Sequence, residues 1–156
     1  MLFRSAHAIA ELTREADLVV SSISLPGKRA PKLVTREMVR SMKRGAVLVD
    51  VAIDQGGSSE TSRPTTHTDP TYIEEGVVHY CVTNMPAACA RSATDALTHA
   101  TLGFLLKLAQ DPQTTLRDHP GLCNGLQLYR GQVTHAGLAE DLGLPYASAE
   151  SLLVAH

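Results

Sequence analysis

Asp54 is the residue of this chain best placed to move a proton. It follows the apolar run Ala46-Val47-Leu48-Val49-Asp50-Val51-Ala52-Ile53 and precedes Gln55-Gly56-Gly57. An acid at a strand end, beside glycines that let a ligand approach the backbone, suits general acid–base work at the mouth of a cleft. The same pattern also fits a helix N-cap or a turn, because Asp-x-Gly-Gly is ordinary turn chemistry. Asp50, inside the run, reads as a buried acid hydrogen-bonded to a neighbouring backbone turn. Arg63, in Thr61-Ser62-Arg63-Pro64-Thr65-Thr66-His67, is a cation with the reach for a phosphate or carboxylate, and equally a solvated loop arginine. His67 and His79 have the chemistry of acid–base groups. His79 stands inside a strand run, where a satisfied core histidine is the plainer reading. Lys28, Arg29 and Lys32 form a small basic cluster that reads as a solvated face.

Several chemistries are excluded by what is missing. Cys81, Cys89 and Cys123 contain no C-x-x-C pair, so neither a disulfide scaffold nor a thiolate zinc site is expected. The seven histidines form no H-E-x-x-H or H-x-H, so no catalytic metal is expected from this chain. No G-x-G occurs anywhere, nor G-x-x-x-x-G-K or G-x-S-x-G, so the chain lacks a glycine cradle for a pyrophosphate and a nucleophile elbow. Fourteen Lys+Arg against sixteen Asp+Glu, a formal charge of −2, speaks against nucleic acid as a partner. Four Tyr, two Phe and no Trp leave little for a base-stacking platform. No apolar run approaches the about 18 residues of a membrane span, and the start is not a secretory signal. The expectation is one soluble, cytoplasmic globular piece that binds neither nucleic acid nor membrane.

The elements that must position Asp54 follow from patterning. Ser5 is a helix N-cap, and Ile9, Leu12 and Ala16 form the apolar stripe of the helix it opens. Leu18-Val19-Val20 suits a buried parallel strand. Ser24-Leu25-Pro26-Gly27-Lys28-Arg29-Ala30-Pro31 is a loop, and Thr35 caps a short helix ending near Lys43-Arg44-Gly45. The run Ala46–Ile53 is the strongest strand. A polar loop then extends from Asp54 to about Thr71, and Val77–Val82 is the third strand. Helix alternating with near-continuous apolar strand is the pattern of an open parallel α/β sheet. After Met85-Pro86 the pattern becomes helical: Thr94 to about Gln110 carries Leu97, Ala100, Phe104, Leu105 and Leu108 on a face, and Asp111-Pro112 stops it. A last helix, Ala136 to Leu142, ends on Gly143. The reading is two lobes, residues 1–86 and 87–156.

Ligands of open α/β sheets bind outside the carboxyl ends of the strands. Ser22–Leu25, Ala52–Gly57 and Val82–Met85 are therefore expected along one edge, with Ile23, Asp54 and Asn84 around one cleft.

The residues also resemble a known family. Pro26-Gly27-Lys28-Arg29-Ala30-Pro31-Lys32-Leu33-Val34-Thr35-Arg36-Glu37-Met38-Val39, Val49–Gly57, Glu60–Thr66 and Val78–Pro86 look like the second half of the nucleotide domain of L-alanine dehydrogenase, and the likeness runs on through Val133-Thr134-His135 and Gly143-Leu144-Pro145-Tyr146. It implies a partial doubly wound, Rossmann-like parallel sheet followed by helices of a substrate-side lobe. It also implies NAD as cofactor, L-alanine, pyruvate and ammonia as substrates and products, and a cytoplasmic homohexamer. The acid matching Asp54 is catalytic in the family. Positions matching Ile23, Ser24, Val51, Ala52, Ile53, Asp54, Arg63, Val82, Thr83, Asn84 and Met85 line the cofactor site.

The resemblance covers nearly all of this chain but under half of the family's usual subunit. The family's glycine loop, adenosine-side acid and substrate-holding lysine, histidine and arginine precede the position of Met1, so the chain is expected to be inactive alone. Asp95 stands where an aromatic is usual and Gly103 where a proline is. Lys107 and Asp111 replace a glutamate and histidine that bind metal in some members. The alternatives are the nucleotide-binding subunit of proton-translocating transhydrogenase, which shares P-G-x-x-A-P-K-L, and a D-2-hydroxyacid dehydrogenase with a similar strand. A further alternative is a non-catalytic remnant that packs against a complete subunit.

Overall fold

Ser5 accepts the Ala8 N–H at 3.1 Å and opens helix α1 (Ala6–Glu15), which Ala16 closes. Its stripe differs from the expected one: Leu12 is 53% exposed, while Thr13 is the buried position. Helix α1 packs on α2 (Arg36–Ser41), and that contact selects the Thr13 face. Thr35 caps α2 by accepting the Met38 N–H at 3.2 Å, as its position before the amphipathic run predicts.

The structure, a computed structural model, describes residues 5–154; the first four and last two residues of the two lobes read from the sequence lie outside the described residues. By its contacts the chain divides into two compact units. One comprises the residues up to Leu25 with Arg29–Ala88, the other Pro26–Lys28 with the residues from Cys89 onward.

In the first unit, strands β1 (Leu18–Ser21), β2 (Val47–Asp50), β3 (Thr71–Glu74) and β4 (Val77–Tyr80) form one sheet in the order β1-β2-β4-β3. β1, β2 and β4 are parallel, as the apolar runs predicted. β3 is antiparallel to β4 and begins at Thr71, where the expected polar loop ends, in a stretch for which the sequence reading gives no element. Its signal lay in Glu75-Gly76: both residues have positive φ, +51° and +81°, the two-residue hairpin geometry that joins twisted strands.

One sheet face builds the core. Val39, Leu48 and Val77 are fully buried there with Val34, Met42 and Ala46, and Val19 and Met38 pack against them. Burying each such side chain contributes about 1.5–3 kcal/mol. The other face is open: Leu18 and Val20 are each 58% exposed. β1 is thus half-buried rather than buried, because Leu18 and Val20 point to that open face.

The expected strand Ala46–Ile53 is shorter in the structure. β2 ends at Asp50, and Val51–Gln55 wind into a 3-10 turn. Asp50 causes the break, since its carboxylate accepts the Ala52 N–H two residues on and bends the chain out of the sheet.

In the second unit, helix α3 spans Ala90–Gln110 and starts earlier than the patterning from Thr94 suggested. Its apolar face is exposed, with Leu97 at 66% and Phe104 at 47%. Asp111 ends α3 and caps α4 (Pro112–Asp118) by accepting the Thr114 N–H, so Pro112 begins a helix as it stops one. α5 (Pro120–Asn124), the hairpin of β5 (Leu128–Tyr129) and β6 (Gln132–Val133), α6 (Ala136–Leu142) and α7 (Ala149–Val154) follow. α6 ends on Gly143 at φ +64°, as read from the sequence, whereas α7 was not foreseen. Among the described residues no helix is long and apolar enough to cross a membrane.

Candidate functional site

The carboxyl ends of β1, β2 and β4 lie on one edge because the three strands are parallel neighbours. Side chains tie these ends together. Gln55 Nε2 donates to Ser24 Oγ at 3.1 Å, joining the segment after β2 to the segment after β1. The backbone N–H of Asn84 faces both carboxylate oxygens of Asp54, at 3.3 and 3.4 Å, joining it to the segment after β4. Asp54 and Asn84 are exposed and so open to a ligand. His67 Nε2 meets the Asn84 carbonyl oxygen at 3.1 Å, which brings a titratable ring to the same segment.

Asp54 stands on a turn that is held firmly below it. The Asp50 carboxylate is fully buried and accepts five hydrogen bonds, from the N–H groups of Ala52, Ser58 and Ser59 and the hydroxyls of Ser58 and Ser62. Five donors satisfy a carboxylate that would otherwise be costly to bury. Gly57, at φ +74°, leaves room for it: a Cβ there would lie 3.2 Å from Asp50 Oδ2 and 3.1 Å from the Ser62 Cβ. Gly56, at φ +95°, faces open space, so the backbone beside Asp54 is accessible.

His79 is fully buried and belongs to the core. Its Nδ1–H donates to the Val77 carbonyl at 3.0 Å, which leaves Nε2 to accept from the Thr61 hydroxyl at 2.8 Å. The Ser59 hydroxyl meets that of Thr61 at 2.9 Å and extends the chain of bonds. Burial pushes the His79 pKa down, so the ring is neutral. Tyr72 stacks on His79, ring centroids 4.9 Å apart. Burial and the neighbouring Cys81 thiol raise the Tyr72 phenol above its ordinary range, so it stays protonated and donates to the Thr61 carbonyl at 2.8 Å.

The remaining sequence candidates divide. Ala52 and Ile53 are buried at 5% and 3% exposure, so the 3-10 turn presents their backbone rather than their side chains, while Val51 is exposed. Val82 is buried and pairs with Thr65, and the Thr83 N–H donates to the Thr65 carbonyl. Met85 opens a 3-10 segment, Met85–Cys89. Ile23 lies in the half-buried stretch just after β1. The Arg63 guanidinium sits over the Tyr72 ring, 3.9 Å from its centroid, and the Arg63 backbone N–H donates to the Tyr72 hydroxyl. The basic cluster is exposed, as read, and both of its lysines have partners. Lys28 pairs with Glu140, and Lys32 donates to three backbone carbonyls of the Asp54 loop. No sequence signal links Lys32 to glycines 24 and 25 residues away. Among the described residues no cluster of three or more His, Cys, Asp or Glu is placed to hold a metal.

Three parallel strands whose carboxyl edge gathers a turn-borne acid, two glycines and a left-handed asparagine define an α/β protein of the Rossmann-like class. The comparisons narrow that class. The family model described as alanine dehydrogenase/PNT, C-terminal domain, matches residues 1–136, and this chain belongs to that family. It is 52% identical over 153 residues to an alanine dehydrogenase of Halomonas elongata, covering 97% of this chain and 41% of the relative. It is 48% identical over 139 residues to alanine dehydrogenase 1 of Staphylococcus aureus, covering 88% and 37%. Among solved structures, an L-alanine dehydrogenase matches with TM-score 0.71 and 41% identity over 89% of this chain and 38% of that one. A transhydrogenase from Sinorhizobium meliloti matches with TM-score 0.51 and 36% identity over 56% and 24%. The chain therefore spans about two fifths of the length of the curated relatives it matches.

Proposed function

We propose that this chain provides the nicotinamide side of the site of an NAD-dependent alanine dehydrogenase, which converts L-alanine and water to pyruvate and ammonia. The observation that carries the reading is the pairing of Asp54 with the Asn84 N–H at the carboxyl edge of the sheet. The residues fit the cofactor's needs: the Gly56 backbone is open, and Ile23, Ser24, Val51, Ala52, Ile53, Val82, Thr83, Asn84 and Met85 stand on the three segments of that edge. Arg63 supplies a cation nearby in sequence. When bound, NAD supplies the hydride acceptor.

This chain's own contribution is proton handling and orientation. Asp54 is exposed, acceptor-only when ionised, and set at a cleft edge, so its carboxylate takes up a proton from water and returns it to the departing amine. The Asn84 N–H orients that carboxylate. Residues 1–86 form the nucleotide lobe and residues 87–156 part of the substrate lobe, in a cytoplasmic homo-oligomer that is a hexamer by family likeness.

The test is a chimera in which this chain replaces the corresponding segment of the Halomonas elongata relative. Alanine-dependent NADH formation by the chimera is expected. A folded chimera that binds NADH but shows no turnover would overturn the reading.

A further inference from the structure

The peptide around Asp54 is gripped from two sides. On one side the Asp50 carboxylate takes the N–H groups of Ala52, Ser58 and Ser59. On the other, Lys32 Nζ donates to the carbonyl oxygens of Gly56 at 2.7 Å, Gly57 at 2.9 Å and Ser59 at 3.0 Å. An ammonium has three N–H donors, and here all three meet backbone carbonyls. Those carbonyls converge because Gly56 and Gly57 adopt φ of +95° and +74°. The result is an oxygen cradle with a cation in it. Between the two grips lies the turn that presents Asp54 to Asn84.

The acid–base chemistry proposed for Asp54 does not use Lys32. We propose that Lys32 is a positioning residue: its ammonium fills the three-carbonyl cradle and so fixes Asp54 against the Asn84 N–H. The purpose of that positioning rests on the reading of Asp54 as the proton-transfer acid; the geometry does not. The chemistry required is that of a compact ammonium. A guanidinium is planar and holds its N–H groups in a fixed fork, so it cannot aim three bonds into a convergent cradle. A small alkylammonium ion can.

The test uses the full chain labelled with ¹⁵N. In the unaltered protein the Asn84 amide shift should follow the titration of Asp54. In Lys32→Ala that response at Asn84 should fall at least about twofold. The Gly56 and Gly57 amides should exchange about tenfold faster, as loss of a charge-assisted bond implies. The amides of β2 and β4 should not change, which separates positioning from general loss of structure. Ethylammonium should restore the Asn84 response in Lys32→Ala, and Lys32→Arg should behave like Lys32→Ala. An Asn84 titration unchanged in Lys32→Ala overturns the proposal, as does a parental Asn84 response in Lys32→Arg. Should Lys32→Ala fail to fold, the Lys32 ammonium protons of the unaltered chain decide. Slow exchange with proximity to Gly56 and Gly57 supports the cradle, and fast exchange overturns it. Turnover of the chimera tests the functional reading separately. A folded chimera that binds NADH without turnover removes that reading and leaves the cradle result standing.

Discussion

Asp54 and Asn84 are 30 residues apart in sequence, yet the Asn84 N–H lies 3.3 Å from Asp54 Oδ1 and 3.4 Å from Oδ2. Asn84 reaches this position with φ of +53°, in the left-handed region that asparagine tolerates better than most residues. That conformation turns the segment after β4 back across the sheet edge toward the turn after β2. The pairing is therefore built by backbone geometry at both ends: a 3-10 turn under the acid and a left-handed residue under the N–H.

The foundation of that turn is Asp50, and it should be costly to disturb. Asp50→Asn keeps the shape but replaces an acceptor oxygen with an NH₂ that faces the N–H groups of Ser58 and Ser59 or of Ala52. Leaving buried donors unmatched costs several times the net worth of a single bond, so a loss of about 3 kcal/mol is expected. Urea unfolding followed by circular dichroism should show a lower midpoint with an unchanged slope. A midpoint within about 0.5 kcal/mol of the parent would mean that the five bonds are not needed.

Asp50 also shows what a sequence discloses and what it hides. A buried acid inside an apolar run, bonded to a neighbouring turn, was legible because an unpaired carboxylate is too costly to bury. The parallel order of β1, β2 and β4 and the gathering of their carboxyl ends were legible from apolar runs alternating with helical pattern. The end of β2 was not. Val51-Ala52-Ile53 has strand composition, and the local bond from the Ala52 N–H back to the Asp50 carboxylate overrides it and turns it into a 3-10 segment. β3 was hidden for another reason: Thr71–Glu74 is short, polar at both ends and preceded by Pro70. Lys32 is exposed, as the basic cluster reads, but its bonding was not legible, because its partners are backbone carbonyls, which carry no sequence signature.

The two adjacent glycines should respond differently to the same change. At Gly57 an added Cβ meets Asp50 Oδ2, the Ser62 Cβ and the Ile53 Cδ1 at 3.1–3.3 Å, and the backbone is at φ +74°. At Gly56 the backbone is at φ +95° but nothing lies within 4 Å of the new Cβ. Gly56→Ala should therefore cost only backbone strain, about 1–2 kcal/mol, and Gly57→Ala should cost more by about 1 kcal/mol or above. Paired thermal denaturation checks the order. Gly56→Ala being the more harmful of the two would contradict the packing drawn around Asp50.

His79 makes stability depend on pH with a definite sign. Burial lowers its folded pKa below the ordinary 6.5, so the unfolded chain binds more protons than the folded one. The contribution is fully present above the unfolded value and declines as pH falls through it, until the folded pKa is passed. Glu75 acts lower: hydrogen bonds from Arg40 and Arg36 hold its carboxyl at about 2 against an ordinary 4.5, so its contribution is lost as pH falls from 4.5 toward 2. Urea midpoints should therefore drop in the parent as pH falls through the ordinary 6.5, and His79→Gln should flatten that drop. The drop at lower pH should remain in the variant. An equally steep decline through pH 6.5 in His79→Gln would assign the effect to another group.

Asp54→Asn tests the acid itself, in the chimera with the Halomonas elongata relative. The amide preserves size and still accepts the Asn84 N–H through its oxygen, but it has no negative charge and cannot take up a proton. Proton-transfer groups contribute about 10²–10⁴-fold to rate, so kcat for alanine-dependent NADH formation should fall by that order. NADH affinity should change far less, because the backbone of Ala52–Gly57 and the fold of the turn are retained. Matching circular dichroism spectra establish that the fold is intact. A folded Asp54→Asn chimera with undiminished kcat would make Asp54 a turn residue, and the proton would then have to pass through another group on that edge, with His67, already bonded to the Asn84 carbonyl, the first to examine.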